Sequence, residues 1–268
     1  MSTLTGRVAI ITGGAKGIGF AIARKFAAEG AHILIADILR EQSVDAVEAL
    51  KKAGNTADYY VCDVSDVNQI FAMTQYCEEK YGKIDILVNN AGIQISCPSM
   101  QFTVENFDKL MSVNIRGAFF CAQAAGLVMR RHGGGKIINI SSGNSRMMNV
   151  GRAPYCISKA GINAMTAVLG AEWAMYGIAV NAIAPGFLKT ELLTAGINEG
   201  RIREDQMMSV NPEGRFGAVN EIANLALYLA SDNSTYIVGQ TIFCDGGWSA
   251  GILPDALEYI RKYDLENN

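Results

Sequence analysis

The chain is almost without histidine: among its 268 residues only His32 and His132 occur. That leaves little from which to build a Ser-His-Asp hydrolase. The six cysteines stand far apart, at 62, 77, 97, 121, 156 and 244, and no C-x-x-C pair exists. With so few histidines they do not suggest a zinc site, and no metal is expected. A chain of this size needs no disulfide staples, so reduced thiols are expected, with Cys156 a small core filler beside Tyr155. Charge is also scarce, at 18% of residues with a net charge of −3, which argues against a nucleic-acid surface. No run of about 18 apolar residues occurs that would span a membrane. The opening Met1-Ser2-Thr3-Leu4-Thr5-Gly6 lacks the charged start and apolar stretch of a secretory signal, so a cytoplasmic protein is expected. No linker, repeat, low-complexity tract or charge run divides the sequence.

What the chain does have is apolar residues, half of the total, enough for a large core. Short apolar runs predict strands at about 7–12, 32–37, 57–62, 84–89, 135–141, 178–183 and 240–244. Helical patterns lie between them, at about 17–29, 40–53, 66–82, 104–131, 153–176 and 219–231. Alternating strand and helix with apolar strands predicts an α/β fold, a parallel sheet covered on both faces.

The first predicted strand, Val8-Ala9-Ile10-Ile11, runs into Thr12-Gly13-Gly14-Ala15-Lys16-Gly17-Ile18-Gly19. Strand, glycine turn and helix are the context of a phosphate-binding turn. The helix start offers free N–H groups and a positive dipole end to a pyrophosphate. The spacing is G-x-x-x-G-x-G, and the G-K-[ST] ending of a P-loop is missing. Asp37 ends the second strand about 20 residues on, where an acid accepts hydrogen bonds from an adenosine ribose and repels a 2′-phosphate. Ile38 follows it, so no arginine stands there for NADP. Lys16 points the other way, because a basic residue in the turn would pair with a 2′-phosphate. Asp37 outweighs it, and NAD is expected ahead of NADP.

Tyr155 and Lys159 are four residues apart in a predicted helix and Ser142 lies thirteen before the tyrosine. The helical spacing puts both side chains on one face. An ammonium beside a phenol favours the phenolate, lowering a pKa that is ordinarily about 10. Such a tyrosine exchanges a proton with an alcohol or ketone.

Over residues 5–248 the chain resembles the short-chain dehydrogenases/reductases. The resemblance rests on Thr12-Gly13-x-x-x-Gly17-Ile18-Gly19, Cys62-Asp63-Val64, Asn89-Asn90-Ala91-Gly92, Asn114, Ile140-Ser141-Ser142, Tyr155-x-x-x-Lys159, Asn181, Pro185-Gly186, Thr190 and Asp245-Gly246-Gly247. It implies a single Rossmann-type, doubly wound parallel sheet of seven strands in the order 3-2-1-4-5-6-7. It also implies one NAD-binding catalytic domain over 1–250 and a tail over 251–268. Ser142, not Ser141, would hold the substrate oxygen. Tyr155 would be the acid/base, and Lys159 would lower its pKa and hold the nicotinamide ribose. Asn114 would carry a water in the proton relay. Gly13, Lys16, Gly17, Ile18, Gly19 and Asp37 would meet the adenosine and pyrophosphate, with Asp63 and Val64 flanking the adenine. Asn90, Ala91 and Gly92 would line the cofactor cleft. Beyond Pro185 and Gly186, Leu188 stands where many relatives have isoleucine or valine, and with Thr190 it would contact the carboxamide and phosphate. A homotetramer is implied as well.

Residues 187–215 read as a substrate lid inserted at the ligand edge of the sheet. Small residues on the 153–176 helix, Ala160, Gly161, Ala164 and Ala167, suit either a subunit contact or packing within the chain. Phe119 and Phe120 read the same two ways. Gln94 and Asn144 are candidates to bind substrate hydroxyls. Arg152, and with it Arg146, would bind an anionic group if it is not simply solvated. Patches such as Pro185 to Leu192 resemble polyol and sugar-acid dehydrogenases. The leading expectation is an NAD-dependent oxidoreductase interconverting a secondary alcohol and a ketone on a small polar substrate. A 3-oxoacyl-carrier-protein reductase and a non-catalytic NAD-binding regulator stand as alternatives.

Overall fold

A computed structural model describes residues 3–189, 193, 194, 197, 199, 203–250, 262 and 263. Seven strands form one sheet: β1 (Val8–Thr12), β2 (His32–Asp37), β3 (Ala57–Val61), β4 (Ile86–Asn89), β5 (Gly135–Ile140), β6 (Ile178–Pro185) and β7 (Thr241–Cys244). All neighbours pair in parallel, in the order β3-β2-β1-β4-β5-β6-β7. The expected order is therefore the observed one. Each parallel connection needs a crossover, and helices supply it. They are α1 (Gly17–Ala28), α2 (Arg40–Lys52), α3 (Val67–Tyr81), α4 (Val104–Met111), α5 (Ala118–Arg131), α6 (Ala153–Trp173), α7 (Glu204–Ser209) and α8 (Val219–Ala230).

Strand side chains alternate between two cores. Ala9, Ile11, Ile33 and Ile35 face Ile22 and Phe26 of α1, Leu50 of α2 and Ile222 of α8. Val8, Ile10 and Leu34 face Met73 and Cys77 of α3, Ala122 and Val128 of α5 and Leu169 of α6. The carboxyl ends of all seven strands gather at one edge. There β1 leads leftward to β2 and β4 lies on its other side, the switch point where ligands bind in open α/β sheets.

The helix predicted over 104–131 is interrupted. Ser112–Gly117 forms a π-helical turn between α4 and α5. Gly117 explains part of it, since a Cβ there would lie 2.6 Å from the Val64 carbonyl oxygen. Such turns re-aim side chains and are frequent at functional sites. This one carries Asn114.

The small face of α6 serves packing within the chain at two points. A Cβ on Gly161 would meet Ile115 at 2.8 Å, and one on Gly170 would meet the Gly239 backbone at 2.6 Å. Of the expected lid, residues 190–192, 195, 196, 198 and 200–202 lie outside the described residues, as does the tail beyond 250 apart from Lys262 and Tyr263. Leu188 and Gly217 form a parallel bridge that anchors the start of this segment. Among the described residues no helix is long and apolar enough to cross a membrane.

Asn181 fixes the last crossover. It is 2% exposed, its Nδ2 donates to the Ile237 carbonyl at 2.7 Å and its Oδ1 accepts the Gln240 N–H at 3.0 Å. Asn181→Ala leaves both backbone groups without their partner and is expected to cost about 2–3 kcal/mol. Urea unfolding measures it; a midpoint equal to wild type would contradict this role.

Candidate active site

The glycine turn is held shut from the far side of the sheet's switch point. Thr12 Oγ1 accepts the Asn90 and Ala91 N–H groups at 3.0 and 3.1 Å. Asn90 Nδ2 donates to the Thr12 and Gly13 carbonyls at 3.0 and 2.8 Å. The clamp leaves no room for a side chain: a Cβ on Gly19 would lie 2.2 Å from the Gly13 carbonyl oxygen and 2.6 Å from Asn90 Nδ2. Gly13 and Gly17 take positive φ, 61° and 59°, a conformation open to glycine. Asn90 thus binds the turn itself, and Thr12 is a structural partner that the motif reading left without a role.

Gly17, Ile18 and Gly19 form the first turn of α1, whose N–H groups have no intrahelical acceptor. Lys16, at the N-cap and exposed, makes no side-chain cap, and no acid stands in the first turn. The helix start is left for an external anion. Asp37, 7% exposed, accepts the Ala15 N–H on one oxygen and the Leu39 N–H on the other, both at 3.1 Å. A carboxylate has about four acceptor sites, so two remain for ribose hydroxyls. Asp63 closes the end of β3, accepting the Ser65 N–H at 2.8 Å, and Val64 packs beside Gly117. These features fit a dinucleotide.

The catalytic candidates come from three elements. Ser142 follows β5, Tyr155 and Lys159 lie on α6, and Asn114 sits in the π-turn. Ser142 is 8% exposed, and its Oγ accepts the Asn144 backbone N–H at 3.1 Å. Ser141 is turned away from the cleft: its Oγ bonds the Lys159 carbonyl and Asn163. Asn114 Oδ1 accepts the Ile93 N–H at 2.8 Å, and Nδ2 donates to the Ile93 carbonyl and to Ser158 Oγ. Its amide therefore ties the loop after β4 to α6. Gly92 lies between Asn114 and Lys159, where a Cβ would be 3.3 Å from Asn114 Oδ1 and 3.6 Å from Lys159 Nζ.

In this geometry the net direction of the Tyr155 pKa is upward, where a lowering through Lys159 is expected. Burial pushes the phenol up, opposed by hydrogen bonding from Ser142 and by the charge of Arg152. Nζ lies 5.8 Å from the tyrosine ring centroid and donates to the Ile140 carbonyl at 2.8 Å. Buried, the amine is itself lowered from 10.5 to about 8. Two desolvated neighbours each favour the neutral form. A buried ammonium with one protein acceptor also has N–H donors to offer, which suits the hydroxyls of a nicotinamide ribose.

Of the substrate candidates, Asn144 is buried beside Ser142. Arg152 is partly buried at the N-cap of α6, and no hydrogen bond or ion pair joins its guanidinium to another described residue. Arg146 is not beside it; its guanidinium lies 5.4 Å from the Phe243 ring centroid on β7. Gln94 is exposed and bonds Ser96. The loop carrying Gln94 and Ser96 is joined to the one carrying Arg152 by the Cys97 N–H to Gly151 carbonyl bond, 2.9 Å. On the carboxamide side, Gly186 lies against Asp245, leaving 2.6 Å for a Cβ. Leu188 is buried and Thr190 falls outside the described residues. Trp248 was missed by sequence reasoning. It is 5% exposed, stacks on Phe187 at 4.3 Å between centroids, and fills the space beside Gly143. The Asp245-Gly246-Gly247 turn positions it, since Asp245 accepts the Gly247 and Ser249 N–H groups.

Lys159 carries a stability cost. Its folded pKa of about 8 lies below the free value of 10.5. Between those pH values the unfolded chain binds more protons, so stability rises with pH there, and the penalty is full below about 8. Lys159→Met is expected to stabilise the cofactor-free protein at pH 7 by on the order of 1–3 kcal/mol, and much less near pH 10. Thermal denaturation at the two pH values reads this; destabilisation at pH 7 would refute it.

A sequence-family model described as enoyl-(acyl carrier protein) reductase matches residues 13–249. A 3-oxoacyl-[acyl-carrier-protein] reductase of Thermotoga maritima is 39% identical, over 91% of this chain and 98% of its own. An NAD-dependent glycerol dehydrogenase of Listeria innocua is also 39% identical, over 92% of this chain and 95% of its own. The crystal structure of a gluconate 5-dehydrogenase from Burkholderia cenocepacia, in complex with NADP and tartrate, is 40% identical with a TM-score of 0.88, covering 93% of this chain and 97% of that one. With the serine, tyrosine and lysine assembled beside a dinucleotide turn, these likenesses place the chain in the short-chain dehydrogenase/reductase family, oxidoreductases that use a pyridine nucleotide and act on CH–OH groups.

Proposed function

We propose that the protein is an NAD-dependent dehydrogenase interconverting a secondary alcohol and a ketone on a small polyol or sugar acid. The observation that carries this reading is the convergence of Ser142, Tyr155 and Lys159 at the sheet edge that also holds the uncapped start of α1. Hydride transfer belongs to the nicotinamide when it is bound. The chain's own work is to place and deprotonate the alcohol. Ser142 donates a hydrogen bond to the reacting oxygen, and Tyr155 takes its proton. The Lys159 amine orients the ribose beside them and, once paired, keeps its charge. Asn114 and Gly92 border the route by which the proton leaves.

Arg152 gives the substrate its chemical bias. A guanidinium with no ion pair among the described residues, three residues before Tyr155, suits a carboxylate, and the gluconate 5-dehydrogenase relative was crystallised with tartrate. The glycerol dehydrogenase relative speaks for neutral polyols. An acyl-carrier-protein reductase is the second reading, favoured by the Thermotoga relative. It needs a free basic face for an acidic partner, yet Arg131 pairs with Glu78 and Arg130 stacks on Tyr176. The complete catalytic set speaks against a regulator that only senses NAD.

The exposed apolar residues Phe119 and Leu127 of α5 and Ile157 and Val168 of α6 support a homotetramer built on those helices. Six free cysteines suit a reducing cytoplasm.

A panel of polyols, sugar acids and their neutral analogues tests the reading. Turnover is expected with NAD, fastest on acids, and rising from neutral to alkaline pH as Tyr155 loses its proton. Tyr155→Phe is expected to abolish turnover while leaving NAD binding within about twofold; a variant that kept most of the wild-type rate would remove Tyr155 from its role.

Cofactor choice is a separate expectation. Asp37 repels a 2′-phosphate, so wild type is expected to favour NAD. Asp37→Ala is expected to weaken NAD and strengthen NADP, with exposed Lys16 left to pair with the phosphate. Better wild-type kcat/KM with NADP would show that Lys16 outweighs Asp37.

A further inference from the structure

Asn144 is an unusual neighbour for a catalytic serine. It is 6% exposed. Its backbone N–H donates to Ser142 Oγ at 3.1 Å, and its Nδ2 reaches the same oxygen at 3.5 Å. Its Oδ1 is buried with no hydrogen-bond partner. A polar side chain kept in such a place, with one acceptor orphaned, is a departure from the rule that buried polar groups are paired. Packing alone would be better served by an apolar residue. Among the described residues, the one polar contact the side chain does make is to Ser142.

A serine oxygen has two acceptor lone pairs and a single proton. Two N–H groups directed at Oγ occupy the acceptor side. The proton then has to point elsewhere, and Tyr155, whose phenol is within hydrogen-bonding reach of Ser142, is a partner for it. We propose that Asn144 is a positioning residue: its backbone and side-chain N–H groups hold the Ser142 hydroxyl as a donor aimed at the oxygen that reacts. Without the side-chain donor the hydroxyl is free to turn and accept a hydrogen bond from the neutral Tyr155 phenol, which favours the wrong protonation state. This rests on the reading of Ser142 and Tyr155 as a pair about one oxygen.

Hydrogen bonding from Ser142 lowers the Tyr155 pKa against the effect of burial. The other groups facing the phenol are Arg152 and Cys156 on the same helix and the Lys159 amine beside its ring. None of these is altered by a change at 144. The phenol therefore reports on the serine proton without any substrate.

The experiment follows Tyr155 by NMR of protein carrying ring-labelled tyrosine, the signal assigned with Tyr155→Phe. It compares wild type, Asn144→Ala, Ser142→Ala and the double variant across alkaline pH. Asn144→Ala is expected to raise the Tyr155 pKa by roughly half a unit or more. Ser142→Ala is expected to raise it at least as far, and the double variant to match Ser142→Ala. No shift in Asn144→Ala overturns the proposal, and so does an equal shift in the Ser142→Ala background. The melting temperature of Asn144→Ala is expected to hold or rise, because the orphaned carbonyl is removed. A marked fall in both Asn144→Ala and Asn144→Ser would make Asn144 a structural residue and also overturn it. Absence of turnover on every substrate would count against the dehydrogenase reading, while the phenol titration still decides the role of Asn144.

Discussion

Lys159 carries its amine into the interior with one protein acceptor, the Ile140 carbonyl, and the neighbouring structure is arranged around that burial. The carbonyl comes from the last residue of β5, so the amine is placed by the strand that also leads to Ser142. Ser141 bonds the Lys159 carbonyl and Asn163, which locks α6 to the same strand end. Strand and helix therefore cannot shift without disturbing amine, serine and tyrosine together. Burial shifts both Lys159 and Tyr155 toward their uncharged forms, the amine to about 8, so at neutral pH it still carries a charge whose cost partners for its remaining N–H groups would reduce.

The opposite half of the cleft is governed by backbone rather than charge. Thr12 and Asn90 join the ends of β1 and β4, and the glycine turn is folded tightly enough that Gly19 touches the Gly13 carbonyl. The turn aims unsatisfied N–H groups of α1 outward, while Asp37 keeps acceptor sites toward the same space. The arrangement fits an anion at the helix start and a ribose at Asp37, both on rigid elements. The substrate side is looser in kind. It consists of loops joined by the Cys97–Gly151 hydrogen bond, which is where substrate preference can vary on a constant scaffold.

Much of this was legible in the chain. Strand positions, helix positions and the parallel arrangement followed from apolar periodicity, and five of the six expected helices lie within a few residues of their expected limits, the sixth being split by the π-turn. The strand order came from the family resemblance, because periodicity does not choose neighbours. Ser142, Tyr155 and Lys159 were recognisable from spacing, since i and i+4 on a helix share a face. Other features were not legible. The π-turn at Ser112–Gly117 depends on Val64 from a distant loop. Trp248 beside Gly143 depends on a turn at the far end of the chain. Arg146 and Arg152 read alike in sequence, yet one stacks on Phe243 and only the other has its charge felt at Tyr155.

The sequence by itself determined local geometry and chemistry: which segments are strands, where glycine permits a turn, and which side chains carry protons. Those are properties of neighbouring residues. Tertiary structure decided the electrostatics. Whether Lys159 lowers the Tyr155 pKa depends on distance and on solvent, and folding placed Nζ 5.8 Å from the ring centroid with both groups desolvated. A spacing of four residues shows that two side chains share a face, but desolvation is set by everything packed around them.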